Sequence, residues 1–527
     1  MEPGPSVIVV GGSLNGLTTA LLLAKRGVRC LVVERNSSTT VQYKFRGISP
    51  RSMEIYRTLG IEPEIRAQQP AAQSEALVRG KNLNDPDLKW GGPAWPDVGG
   101  ISMVANATCD QDRLEPILIE HARRLGAEIR FATELVRFRQ DGNGVEARIR
   151  NLESGDEQTF EADYLVAADG ANGKIRQALG ISRQGPGELQ CWMNIIFETD
   201  LSRELQGRKF TSAFVTDVNG SILPRDDGGH WLLALQYSPE RGERAEDFDD
   251  AHCVDLIRKA VGRADFKVSI VDARSWEVAG YVADRFRQGR VFLVGDNAHR
   301  MPPTGGFGGN TGIHDAHNLA WKLALVLKGD AGPELVDTYE LERRPIAEAT
   351  LAQALARLSA WFKDLSQRLP PGVPIVDDYD VVFGQIYPEG AFVPDGDTVP
   401  GPFEDCRHPS GRPGSRAPHL VILRNGAKQS TLDLFGDGFV LLSGVQGERW
   451  HEAAREISHG AGIAITSYRV GTDIEDPENR WKEKYGVTDA GAVLVRPDGI
   501  IGWRAKSADR SAGEVLERAW SQILARQ

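Results

Sequence analysis

The stretch that decides the fold is Val7–Arg35, VIVVGGSLNGLTTALLLAKRGVRCLVVER. Val7 to Val10 is a β-branched run of the kind buried on both faces of a parallel sheet. Leu17, Ala20, Leu21 and Ala24 then recur at the spacing of one helical face, and Cys30 to Val33 reads as a second strand. A strand, a tight glycine turn and a helix in that order aim unpaired helix N-terminal N–H groups at a phosphate. Gly11 and Gly16 hold the outer positions of a G-x-G-x-x-G turn, with Leu14 and Asn15 inside it, while Ser13 stands where the middle glycine belongs. Ser13 brings a Cβ to a place where backbone lies against phosphate, yet its hydroxyl and N–H can both donate to one. Glu34, followed by Arg35, closes the second strand where a carboxylate accepts from the hydroxyls of an adenosine ribose. The segment reads as a dinucleotide site; the alternative is a βαβ unit with no ligand.

At 527 residues the chain is long for a single core, so two to four domains are expected. Hydrophobic residues at 41% and charged residues at 26% are ordinary for a globular protein that folds and stays soluble. A net charge of −11 without any long basic run argues against nucleic acid as a partner. The start of the chain lacks a basic region before its first apolar run, and nothing reaches the roughly 18 apolar residues of a membrane helix. A cytoplasmic protein away from membranes, monomeric or homodimeric, is expected. Cys30, Cys109, Cys191, Cys253 and Cys406 are scattered without a C-x-x-C pair, so neither a metal site nor a dithiol couple is expected.

Further along, FRGISPRSMEIYRTLG offers Arg46 and Arg51 around a turn before an amphipathic helix, and QDRLEPILIEHARRLGAEIRF reads as a helix and a strand. The strand EADYLVAADG ends in Asp169-Gly170, as ligand loops of parallel sheets do. From about Gly180 to Trp276 the pattern changes to aromatic, strand-like runs (CWMNIIFETDL, KFTSAFVT, HWLLALQYS) without long helices between them, which predicts a mostly antiparallel sheet. GRVFLVGDNAHRMPPTGGFGGNTGIHDAHNLAWKLALVL then returns to strand, loop and helix. Ten of the 28 prolines fall between Pro370 and Pro418. The expected organisation is α/β with α+β elements: 1–180 the first part of the nucleotide-binding domain, 181–275 an inserted substrate sheet, 276–368 the completion of the first domain, 369–417 a Pro/Gly-rich linker or wrap, and 418–527 a small α/β module.

The most specific signal is Gly295-Asp296 at a strand end, followed by Pro302-Pro303-Thr304-Gly305-Gly306 and Gly308-Gly309-Asn310-Thr311-Gly312 before a helix. Repeated glycines admit a flat ligand close to backbone, and Asp296 can accept from a polyol hydroxyl. At this point the chain resembles the class A FAD-dependent aromatic hydroxylases, which have the para-hydroxybenzoate hydroxylase-like fold, and within them the polyketide hydroxylases similar to aklavinone hydroxylases. The resemblance covers essentially the whole length on three motifs in order: GGSLNG with Glu34, YLVAADGANGKIR, and GRVFLVGDNAHRMPPTGG. It departs from the family at Ser13 and at Gly173, where the D-G motif usually has serine.

The resemblance implies a Rossmann-like FAD-binding domain, an inserted mostly antiparallel substrate sheet and a C-terminal thioredoxin-like domain that lacks C-x-x-C. It implies that Gly11, Ser13, Leu14, Asn15, Gly16, Glu34 and Arg35 hold the adenosine and pyrophosphate end of FAD. Arg46, Gln111 and Leu135 follow the middle of the cofactor, Asp169 ties its lobe to the reductant's approach, and Asp296 binds the ribityl chain. Pro303, Gly306, Gly309, Asn310 and Thr311 lie near the isoalloxazine. It further implies reduction by NADPH or NADH, bound transiently without a second Rossmann domain. Reaction with O2 then gives a flavin C4a-hydroperoxide that hydroxylates an electron-rich aromatic ring. Trp231 and Tyr237, with Pro302 and Gly305, are the candidates for the aromatic substrate's wall. No catalytic base stands out; His299 and Tyr237 are the candidates. Baeyer–Villiger or epoxidising oxygenation shares every cofactor motif, a flavin reductase or dehydrogenase incorporates no oxygen, and a non-enzymatic flavin- or ligand-binding protein turns nothing over.

Overall fold

The computed structural model describes residues 4–40, 44–69, 76–93, 97–205, 207, 209–225, 229–362, 365, 369, 372–398, 401–461 and 463–526. Its first layer is a six-stranded sheet in the order Arg287–Gln288, Val291–Leu293, Tyr164–Ala167, Val7–Val10, Cys30–Val33, Glu128–Arg130. All neighbours are parallel except the Arg287–Gln288 edge. Every residue of the four inner strands is buried, as their near-continuous aliphatic runs require. The helix Leu14–Lys25 packs on this sheet, as does the long helix Phe307–Leu327. Successive strands lie on opposite sides of Val7–Val10, so the order reverses between it and Tyr164–Ala167. Ligands of open parallel sheets bind beyond the strand ends at such a reversal.

The second layer is an eight-stranded sheet: His299–Arg300, Ser269–Ala283, Arg183–Glu198, His230–Tyr237, Gly220–Pro224, Ser212–Val215, Ala76–Gly80, Lys89–Pro93. It is antiparallel save for the pair Ser212–Val215 with Ala76–Gly80. The sheet thus recruits two strands from the first 180 residues, and the expected boundary at 275/276 falls inside the single strand Ser269–Ala283. The bulged pairing of that strand with Arg183–Glu198 carries the chain from one layer into the other without a break. The 12-residue helix Asp250–Val261, absent from the strand-like reading of this region, covers one face of the sheet.

Residues 369–417 are a packed wrap rather than a loose linker. Proline removes N–H donors and so discourages regular elements, yet Tyr379, Val382, Phe383, Ile386, Tyr387 and Phe392 are all buried. The last module has a four-stranded sheet in the order Ile465–Arg469, Phe439–Ser443, Ala492–Val495, Ile501–Ala505, with one parallel pair and an antiparallel hairpin. Its core is not separate: Phe439, Trp450 and Trp520 share a cluster with Trp321 and Leu335 of the first domain. Among the described residues no helix is long and apolar enough to cross a membrane.

Candidate cofactor and substrate site

The site begins at the strand reversal. Gly11 N–H donates to Val33 O at 2.9 Å and Ala168 N–H to Val10 O at 2.8 Å, which locks the two strand ends side by side. Gly11 has φ +107°, and a Cβ there would lie 2.2 Å from Ala168 O; one on Gly16 would lie 1.8 Å from Gly11 O. The two outer glycines are therefore fixed by the fold itself. Ser13 caps the following helix in extended conformation, and Leu14 turns its side chain into the core. The Ser13 hydroxyl is committed elsewhere than a phosphate: it donates to Glu115 Oε1 at 2.7 Å and accepts from Gln111 Nε2 at 2.8 Å. A buried carboxylate demands donors. Burial raises the Glu115 carboxyl, and the donors from Ser13, Gln111 and Thr40 pull it back.

Glu34 closes the far side. Its Oε2 accepts from Gly12 N at 2.7 Å and its Oε1 from Asn36 N and Nδ2 at 2.8 and 2.6 Å, leaving Arg35 exposed beside it. Thr133 N–H donates to Glu34 O at 2.8 Å, and Leu135, two residues on, packs half-buried against the first core. Arg46 is buried 3.6 Å from Asp110 and donates to Pro224 O, tying the nucleotide domain to the sheet domain. Gln111 N–H donates to Phe45 O at 3.0 Å.

Asp296 is the one exposed residue in the run Val291–His299. It is open on one side and closely surrounded on the others, and this crowding pushes its carboxyl up against the pull of His299, Arg300 and Lys44. Asn297, next in sequence, donates through Nδ2 to Asp169 Oδ1 at 2.5 Å, so the two motif loops are hydrogen-bonded to each other. A Cβ on Gly173 would lie 2.5 Å from that same Asp169 oxygen and 2.7 Å from Asn297 Oδ1. A side chain at position 173 would have to displace the Asp169–Asn297 pair.

Asn15 is wedged between Gly295 and Gly312, and its Oδ1 is buried without a hydrogen-bond partner. Pro303 and Gly306 are exposed, Pro302 is buried, and Gly305 and Gly306 turn the chain with φ +82° and +64°. Asn310 accepts from Ser49 N at 2.9 Å and donates to Gly47 O and Gly306 O, while Thr311 Oγ1 donates to Phe307 O at 2.9 Å. Their side chains hold the loop in place. Gly309 is pressed against Phe45, whose ring would lie 2.5 Å from a Cβ. The exposed acid Asp296, which feels the charge of Lys44, and the glycine loop beside Phe45 fit an elongated polar cofactor such as FAD.

His299 is not in this crevice. It is fully buried, and its Nε2 donates to Asp315 Oδ2 at 2.7 Å.

Strand parity decides which face of the sheet the two candidate aromatics occupy. Along His230–Tyr237, Trp231, Leu233, Leu235 and Tyr237 all face the helix Asp250–Val261. Tyr237 meets Phe248 edge-on at 5.5 Å, and Trp231 meets Phe210 at 6.1 Å and donates to Thr199 O. These two aromatics are core of the sheet's covered side. The opposite face carries Gln190, Trp192, Asn194, Gln236 and Trp276. Trp192 and Trp276 are cross-strand partners with ring centroids 5.9 Å apart, Trp192 also meets Phe362 edge-on at 6.3 Å, and both indoles pack against the first-domain core. The alternation Cys191/Met193/Ile195/Phe197 against Trp192/Asn194/Ile196 held this signal in the sequence.

Residues 5–354 match the FAD binding domain family, and residues 410–526 match the family described as aromatic-ring hydroxylase, C-terminal. The chain is 39% identical over 538 residues to an aklavinone 12-hydroxylase of Streptomyces purpurascens, covering 99% of each. It is 38% identical over 563 residues to a tetracenomycin A2 monooxygenase-dioxygenase of Streptomyces glaucescens, covering 99% of this chain and 97% of that one. Its structure matches a crystal structure of a ternary complex of aklavinone-11 hydroxylase with FAD and aklavinone, with TM-score 0.91, 38% identity and all of both chains covered.

Proposed function

Because this chain belongs to the FAD-dependent aromatic hydroxylases of the polyketide branch, we propose that it hydroxylates a polycyclic phenol, with NADPH or NADH as reductant and O2 as the oxygen source. That it is an FAD-dependent aromatic monooxygenase follows from the family. Bound FAD supplies two-electron reduction and the activation of dioxygen; the chain's own residues hold it and place the substrate.

In this reading Glu34 takes the adenosine ribose, the N–H groups that open the helix Leu14–Lys25 take the pyrophosphate, and Asp296 takes the ribityl hydroxyls. Ser13 contributes its backbone N–H, since its hydroxyl serves Glu115. The substrate stacks on Trp192 and Trp276, with Gln190, Asn194 and Gln236 fixing its polar edge. Trp192 Nε1 donates to Gln190 Oε1 at 3.1 Å and Trp276 Nε1 to Asn194 Oδ1 at 2.9 Å, which sets both indoles in fixed planes. The indole pair on the sheet face that packs toward the first-domain core is the observation that carries a polycyclic substrate, because offset stacking rewards extended aromatic area. None of the five cysteines is in a disulfide, which supports a reducing compartment, the cytoplasm. The C-terminal module, read as thioredoxin-like without a dithiol, serves packing.

The test supplies candidate aromatic polyketides with NADPH and 18O-labelled oxygen gas. Label in a new phenolic hydroxyl supports the reading. Label in a lactone or ester redirects it to Baeyer–Villiger chemistry, and an oxidised product without label overturns oxygenation.

A further inference from the structure

Asp296 sits between two residues that are held by a single carboxylate. Gly295 N–H donates to Asp315 Oδ2 at 3.3 Å, and His299 Nε2 donates to the same oxygen at 2.7 Å. The other oxygen, Asp315 Oδ1, accepts from Arg343 Nε at 2.9 Å. Arg343 also reaches Thr311 O through Nη2 at 3.4 Å, in the second turn of the helix Phe307–Leu327. One guanidinium therefore holds both ends of the segment that carries Asp296 and the loop.

The far edge of that guanidinium leads into the C-terminal half of the chain. Arg343 Nη1 donates to Gln385 Oε1 at 3.1 Å and approaches Tyr387 Oη at 3.4 Å, both in the proline-rich wrap. Asn318 joins Tyr387 to Glu342, and Glu342 receives both Lys322 and Arg496 of the last module at 2.7–2.9 Å. Asp315, Arg343, Lys322, Glu342 and Arg496 have no exposed side-chain surface. Buried ion pairs return about what their desolvation costs, so stability alone is served as well by apolar residues. What the pairs add is fixed geometry at the Gly295 and Thr311 backbone.

We propose that Arg343 is a positioning residue for the cofactor, through which the wrap and the C-terminal module set where Asp296 lies. This rests on the assignment of Asp296 to FAD. It gives the C-terminal half a part in holding the cofactor although none of its residues lines the crevice described above.

A double-mutant cycle on FAD dissociation tests it, read from the fluorescence of FAD released on dilution of the holoenzyme. Arg343→Lys keeps the charge and loses the fork, and Tyr387→Phe removes one hydroxyl and leaves the fold standing if the lysine variant does not fold. Each single variant is expected to weaken FAD binding, roughly tenfold for the lysine and about threefold for the phenylalanine, and to add nothing further in an Asp296→Ala background. A general loss of packing predicts the opposite, the same factor in both backgrounds. Additive effects, or unchanged FAD dissociation in both variants while Asp296→Ala weakens it, overturn the positioning role. Unchanged dissociation in Asp296→Ala overturns both the role and the assignment beneath it.

Discussion

Ser13 Oγ and Glu115 Oε1 are 2.7 Å apart, joining the nucleotide turn to the helix Gln111–Arg124. The serine at the middle position of the glycine turn is thus a tether between two elements, and its hydroxyl makes no cap bond to its own helix. Ser13→Gly removes one donor from Glu115, while Gln111 Nε2 at 2.7 Å and Thr40 N at 3.0 Å remain. Loss of a hydrogen bond to a buried carboxylate costs about 1–3 kcal/mol of stability. FAD affinity is expected to change less than about tenfold, or 1.4 kcal/mol. Thermal unfolding and FAD titration of the variant check the two numbers separately.

Asp296→Ala removes the single exposed acid from an otherwise buried run. A charge-assisted hydrogen bond is worth about 1.5–3 kcal/mol, so FAD should be held roughly tenfold to a hundredfold less tightly. The melting point of the cofactor-free protein should barely move, because no hydrogen bond holds that side chain to its own fold among those the structure shows. A large loss of stability with intact FAD binding contradicts this.

The fold was legible where period and punctuation agree. Val7–Val10, the helix after Gly11 and the Gly295-Asp296 strand end were all read from local pattern, because a buried parallel strand is apolar throughout and its loop is rich in glycine. The indole pair was not read. Trp231 and Trp192 sit on equally strand-like runs, and only the helix Asp250–Val261, which the reading of that region omitted, decides which face is covered. Arg343 and Asp315 were missed for a different reason: each looks like an ordinary polar residue on a long helix until tertiary packing buries both.

Glu342 and Asp315 make the protein acid-labile. Burial works to raise both carboxyls, but Arg496 and Lys322 around Glu342, and His299 and Arg343 around Asp315, outweigh it and hold both below their ordinary values. A carboxylate whose folded value lies below its unfolded one stabilises fully above the unfolded value, and that stability drains away as pH falls below about 4.5. Glu342→Gln leaves two buried cations short of an anion, at a cost of about 3–5 kcal/mol near neutral pH. Urea unfolding of both proteins from about pH 7 down to about pH 2.5 should show the variant weaker at the start and falling less steeply below about pH 4.5.

Deleting residues 418–527 should expose the first domain rather than release an independent module. Trp321 meets Phe439 edge-on at 5.8 Å, and Leu335 lies in the same cluster as Trp520. The truncated chain is expected to aggregate, as exposed apolar patches do, and to retain less FAD on size-exclusion chromatography. Cys406→Ser, which touches no redox couple, should leave turnover unchanged.

The sharpest contrast lies between the two faces of the second sheet. Trp192 and Trp276 lie on the face that packs against the first-domain core, while Trp231 and Tyr237 lie among Leu233, Leu235 and Cys253 on the other side. An aromatic contact is worth about 0.5–1.5 kcal/mol beyond the area it buries, and truncation to leucine also loses area. Trp192→Leu and Trp276→Leu should therefore each raise KM for a polycyclic phenol by roughly tenfold, with FAD affinity intact. Tyr237→Phe keeps the ring that meets Phe248 and should change KM less than about twofold. Trp231→Leu should lower the melting temperature instead, because that indole fills the covered side against Phe210. If KM moved with Trp231 and not with Trp192, the substrate would lie on the helix-covered face, and the parity of the strand His230–Tyr237 would have to be reversed.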